Sequence, residues 1–155
     1  MTRKITCTVV AVAAFAVALI ATTLPTVDRS DDRSARTYVD AVFGALPPDA
    51  AILSFWGPSA PLWHAQHVLG ERPDVLVVDD TNIVYEGWGT PEARIDDLIC
   101  SRPVFILPIR PSVLDPLRAR FTVTPELPVR VGALAPIAAY DLTVYRVAPR
   151  PGTCP

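Results

Sequence analysis

The residues able to do chemistry gather between Trp56 and Asn82. His64 and His67 are the two histidines, and their spacing puts both on one face of a helix, from which they could bind a metal with Asp79 or Asp80. Histidines that hydrogen-bond neighbouring loops are the commoner outcome, so no metal ligand is assigned. Asp79 and Asp80 are the adjacent carboxylates that general acid/base work would use, provided both reach one substrate. On a strand they alternate, one into the crevice and one away, and a carboxylate there more often caps a turn through the amides of Thr81 or Asn82. Glu86, beside Tyr85, adds a third carboxylate if residues 81–89, which include Trp88, fold back as a lid. Trp56, Trp63, Tyr85 and Trp88 bring aromatic faces to the same region, and such faces beside carboxylates hold sugar rings, with core packing as the competing use. Ser59 lacks the Gly-x-Ser-x-Gly elbow, so no Ser-His-Asp nucleophile is supported. The candidate ligand-binding set is Trp56, Ser59, Trp63, His64, His67, Asp79, Asp80, Asn82, Tyr85 and Glu86; no catalytic residue is assigned.

These residues need a scaffold, and the pattern around them supplies one. Ala50 to Trp56 and Val75 to Val78 read as buried strands, with a helix between them that Ser59 caps, Pro61 starts and Gly70 ends. That is one βαβ unit with polar groups at both strand ends, and in open α/β sheets ligands bind at the carboxyl ends of strands. Ala35, Tyr38, Val39, Val42, Phe43 and Leu46 mark an earlier amphipathic helix ended by Pro47-Pro48. Thr90-Pro91 starts another helix that runs to about Ile99, and Pro103 to Ile109 reads as a third strand. Ser112 to about Arg120 reads as a short helix. Phe121 to Thr124, Val129 to Val131 and Leu142 to Val147 then read as strands with little helix between them. The fold class expected is a small three-layer α/β domain, Rossmann-like in outline, with a parallel core and antiparallel C-terminal edge strands.

Composition narrows the function. Of 155 residues, 50% are hydrophobic and only 19% charged, which suits one packed domain, and 17 prolines call for short elements and rigid turns. A net charge of -2 without a basic run leaves no cationic face for nucleic acid. The first βα turn, Trp56 to Pro61, has one glycine and two prolines, and no GxGxxG or P-loop occurs, so neither a nucleotide nor another cofactor is implied.

Ile5 to Leu24 is an uncharged apolar run following Arg3 and Lys4, and its length is what a helix needs to cross about 30 Å of hydrocarbon. A cleaved signal would have to cut at Ala16-Val17-Ala18, inside that run, so a membrane anchor is the preferred reading. A short amino-terminal tail stays inside when the segment after it acts as a signal anchor, which places the body outside the cytoplasmic membrane. The expected organisation is an anchor over 1–27, a linker over 28–34, one α/β domain over 35–150 and a tail over 151–155. Cys7 falls in the anchor, leaving Cys100 and Cys154 either as one disulfide or as two free thiols; spacing does not decide.

Several short motifs occur in one order: Tyr38-Val39-Asp40-Ala41, Leu46-Pro47-Pro48-Asp49-Ala50-Ala51-Ile52-Leu53, Ser59-Ala60-Pro61-Leu62-Trp63 with Gln66, and Gly70-Glu71-Arg72-Pro73-Asp74-Val75. Over residues 35–110 this series resembles the soluble region of a large family of polytopic bacterial membrane proteins, similar to protein O-mannosyltransferases of the GT-C type. Such transferases take sugar from a lipid-phosphate donor and hold their catalytic acid in an extracytoplasmic loop between early membrane helices. With one apolar segment here, no catalytic residue carries over. The resemblance implies a membrane-anchored extracytoplasmic module, non-catalytic on its own, that binds glycan or acceptor or docks a membrane glycosyltransferase. The alternatives are a small hydrolase or transferase using Asp79, Asp80 and His64, and a truncated fragment of a larger membrane glycosyltransferase.

Overall fold

Three short aliphatic runs, each closed off by turn residues, are too brief for helices and apolar enough for burial on both faces. In the computed structural model, which describes residues 12–23, 32–80, 87, 89–131 and 140–154, they become β1 (Ala51–Ser54), β2 (Leu76–Asp79) and β3 (Val104–Leu107). The later segments form β4 (Thr122–Val131) and β5 (Tyr140–Ala148). The sheet order is β2-β1-β3-β5-β4. β1 runs parallel to β2 and β3, while β5 is antiparallel to both β3 and β4. The fold is thus mixed α/β around a five-stranded mixed sheet.

Helices cover both faces. On one, Tyr38, Val39, Val42 and Phe43 of α1 (Ser34–Ala45) and Leu62 and Ala65 of α2 (Trp56–His67) pack on Ile52, Val77 and Phe105. On the other, Ile95 and Leu98 of α3 (Pro91–Leu98) and Leu114 and Leu117 of α4 (Leu114–Arg120) pack on Leu53, Val78 and Ile106. Alternation along each strand sends successive residues to the two clusters, and each fully buried aliphatic chain stabilises by about 1.5–3 kcal/mol.

Several boundaries differ from the sequence reading. α2 begins at Trp56, not Ser59: Pro58 fits the first turn, and Phe55 serves as N-cap without a side-chain bond. Gly70 ends the helical stretch as expected, with φ of 71° and the Glu71 amide donating to the Ala65 carbonyl at 3.0 Å. Thr90 caps α3 through the Ala93 amide at 3.3 Å. β4 is one strand where two were expected, because a register shift between Pro125 and Leu127 lets the chain pass its prolines while still pairing with β5. β5 lies inside the sheet, so of the two antiparallel strands only β4 is an edge.

The chain divides into two compact units, Met1–Asp32 and Arg33–Pro155. In the first, residues 12–23 are helical. No helix among the described residues is long and apolar enough to cross a membrane. The expected span also needs residues 5–11 and Leu24, which, like residues 28–31 of the expected linker, lie outside the described residues. The expected tail belongs to the second unit: Cys154 is bonded to Cys100, with Cα atoms 5.5 Å apart.

One joint explains much of the motif series. The Arg72 guanidinium donates to the carbonyls of Phe43, Leu46 (3.0 Å) and Pro47 (2.9 Å), satisfying acceptors that α1 leaves open at its end. It also pairs with Asp74 at 2.9 Å, and the Asp74 carboxylate accepts from the Asp49 amide at 3.1 Å. The hydrogen bond from Arg72 is the main reason the Asp74 carboxyl sits well below its ordinary value, at about 2, with the Asp49 amide adding to the effect. Asp49 and Arg72 both have left-handed φ, 58° and 44°, a conformation costing non-glycine residues of order 1 kcal/mol that this network holds in place.

Candidate functional site

The carboxyl ends of the parallel strands carry the buried polar side chains of the described core: Ser54, Ser59 and Asp79. Ser54 stands in register with Asp79 on β2 and Leu107 on β3. Side chains alternate, so Ser54 and Asp79 share the face of Ile52 and Val77, the side that α1 and α2 cover. Ser59, one turn into α2, meets Ser54 oxygen to oxygen at 2.6 Å. Its own proton goes to the Phe55 carbonyl at 3.0 Å, so the Ser54 hydroxyl is the donor between them. Ser59 is therefore neither a cap nor open to a ligand; it ties α2 to β1.

Asp79 is 3% exposed, and Asp80 after it is half-buried. The two histidines are exposed on α2 but open into different grooves. His64 lines one of about 440 Å³ between α1 and α2, with Arg36, Val39, Pro61 and Leu69. His67 lines another of about 290 Å³ beside β2, with Trp63, Gln66 and Pro73. Neither of these two linings includes Asp79 or Asp80. Among the described residues no group of three His, Cys, Asp or Glu is placed to hold a metal ion. Asn82, Tyr85, Glu86 and Trp88, the expected lid, lie outside the described residues.

Trp63 is a strand guard. The Leu76 amide donates to the carbonyl of Ala50, just before β1, at 2.8 Å, so the alternate carbonyls of Val75 and Val77 face away from β1. The Trp63 indole N–H takes Val77 at 3.2 Å, and the Gln66 amide takes Val75 at 2.7 Å and Arg72 at 2.8 Å. With the Arg72 joint, the motifs around Leu46-Pro47-Pro48, Leu62-Trp63 with Gln66, and Arg72-Pro73-Asp74 form one connected structural network.

Trp56 is different: it is 69% exposed at the end of β1. Ile109, two residues beyond the end of the neighbouring strand β3, is 52% exposed, and Arg110 next to it is exposed as well. After β1 the chain enters α2 on one face of the sheet; after β3 it enters a 3₁₀ turn (Pro111–Val113) and α4 on the opposite face. Adjacent parallel strands whose continuations leave over opposite faces define a topological switch point, where a crevice opens. Trp56 follows one of these strands, and Ile109 and Arg110 follow the other. Reading the sequence alone paired β1 with β2 and overlooked Ile109 and Arg110; finding them requires the order β2-β1-β3, which no short-range pattern encodes. No family model, curated protein or solved structure matches the chain.

Proposed function

We propose that the chain is a membrane-anchored extracytoplasmic module, Rossmann-like and three-layered in outline, that binds a glycan or glycosylated acceptor without transforming it and works beside a membrane glycosyltransferase. The observation that carries this reading is the contrast at the carboxyl edge. Trp56, which has an aromatic face suited to a sugar ring, is open to solvent, whereas Asp79 and Ser59 are buried in the scaffold. A recognition face with its reactive side chains turned inward suits binding better than acid/base catalysis. The Cys100–Cys154 disulfide fits an oxidising compartment, and the run from Ile5 to Leu24 supplies the anchor.

The test uses the full chain in lipid nanodiscs, titrated with a mannosylated peptide and with the same peptide unmodified, with isothermal titration calorimetry as the readout. Saturable binding of the mannosylated peptide alone, lost in Trp56→Ala while the circular dichroism melt is unchanged, is the expected result. Equal response to both peptides, no response to either, or wild-type affinity in Trp56→Ala would overturn the proposal.

A further inference from the structure

The switch-point crevice has a charge as well as an aromatic lip. Arg36, Arg72, Arg118, Arg120 and Arg130 are each paired with a carboxylate. Among the described residues no carboxylate pairs with Arg110. Among the described residues, Asp79 ends β2 and Asp80 follows it, on the far side of β1 from β3, and Asp115 of α4 is paired with Arg118. Among the described residues the β3 side of this edge is therefore cationic, and a guanidinium offers the fork that suits a planar or tetrahedral anion.

The lips are also stiff. Pro108 and Pro111 bracket Ile109-Arg110, and Pro58 follows Trp56 by two residues inside the first turn of α2. Proline fixes φ, so these side chains project from backbone that loses little further freedom when a ligand arrives. An exposed tryptophan, an exposed isoleucine and an arginine that no carboxylate among the described residues pairs make a coherent recognition set at the switch point: an apolar ring face on one side and an anion on the other.

We propose that this crevice takes an anionic sugar, a pyranose bearing a carboxylate or phosphate, with the ring against Trp56 and Ile109 and the anion on Arg110. The inference rests on the binding reading above and adds to it the charge class of the ligand. The carboxylate and phosphate versions share the same chemistry and are separated by the probes.

Three probes are titrated into the full chain in nanodiscs: methyl α-mannoside as the neutral sugar, methyl glucuronide, and mannose 6-phosphate. The expected result is that at least one charged probe binds about tenfold or more tightly than the neutral one, with the preference falling as salt rises. Arg110→Gln, an exposed substitution whose folding is checked by its melt, should remove that preference. Arg110→Lys should restore part of it, because the charge remains while the fork is lost. Whichever charged probe is preferred identifies the anion. Equal affinity for neutral and charged probes, or an unchanged preference in Arg110→Gln, overturns this inference and leaves glycan binding standing. Binding of the mannosylated peptide while all three probes fail also overturns it, whereas failure of every probe and of the peptide overturns both proposals.

Discussion

Arg72 gathers three backbone carbonyls and one carboxylate, a task lysine cannot repeat because a single ammonium lacks the planar fork. Arg72→Ala is expected to destabilise the domain by about 2 kcal/mol or more, with Arg72→Lys intermediate, as read from urea midpoints at constant slope. Its partner gives a pH signature. The Asp74 carboxyl titrates at about 2 in the folded chain against an ordinary value of 3.8, so its contribution is complete above pH 4 and is lost as pH falls toward 2. Asp74→Asn should remove that part of the acid sensitivity; parallel loss in variant and wild type across pH 5 to 2 would refute the assignment. The serine pair behaves differently. Ser59→Ala orphans the buried Ser54 hydroxyl and should cost about 1–3 kcal/mol, Ser54→Ala less because Ser59 keeps its bond to Phe55, and the double alanine variant less than the sum of the two. None of these roles was legible in the sequence. Arg72 meets carbonyls 25 to 29 residues upstream, and backbone acceptors leave no mark in a side-chain pattern.

Elements were more readable, because local signals fixed them. Thr90-Pro91 started a helix and Gly70 closed one for reasons contained within a turn of chain, and the α1 stripe buried Tyr38, Val39, Val42 and Phe43, while its first member, Ala35, is exposed. α2 slipped because two prolines compete for its first turn, and Pro58 wins by fitting where no amide is needed. β4 was read as two strands because Pro125 and Pro128 look like breaks; an edge position with a bulge tolerates both. Trp63→Phe keeps the packing of α2 but gives up the bond to Val77, so a loss of about 1 kcal/mol is expected, together with faster amide exchange in β2 than in β1. Unchanged exchange would show that the indole bond does not guard the strand.

For the whole molecule, the α/β class was legible but the strand order was not, since pairing of β5 between β3 and β4 is a long-range choice. That missing order also hid the switch point. The disulfide closes a separation of 54 residues and holds the C-terminus to the end of α3. In the chain-entropy picture a closed loop of that size stabilises by about 4 kcal/mol, so reduction or Cys154→Ser should lower the melting midpoint by many degrees. Alkylation of the protein in intact cells, followed by mass spectrometry, should find neither cysteine labelled until a reductant is added; labelling without reductant would count against an oxidising compartment.

Both margins of the sheet are closed by different means. At β2, Trp63 and Gln66 occupy the outward carbonyls an incoming strand would need; at β4, two prolines have no amide to offer. Among the described residues, an incoming strand therefore meets an interrupted ladder at either margin, which disfavours edge-to-edge pairing between copies. The two margins thus resist sheet extension from molecule to molecule by opposite chemistry, one by occupied acceptors and the other by missing donors.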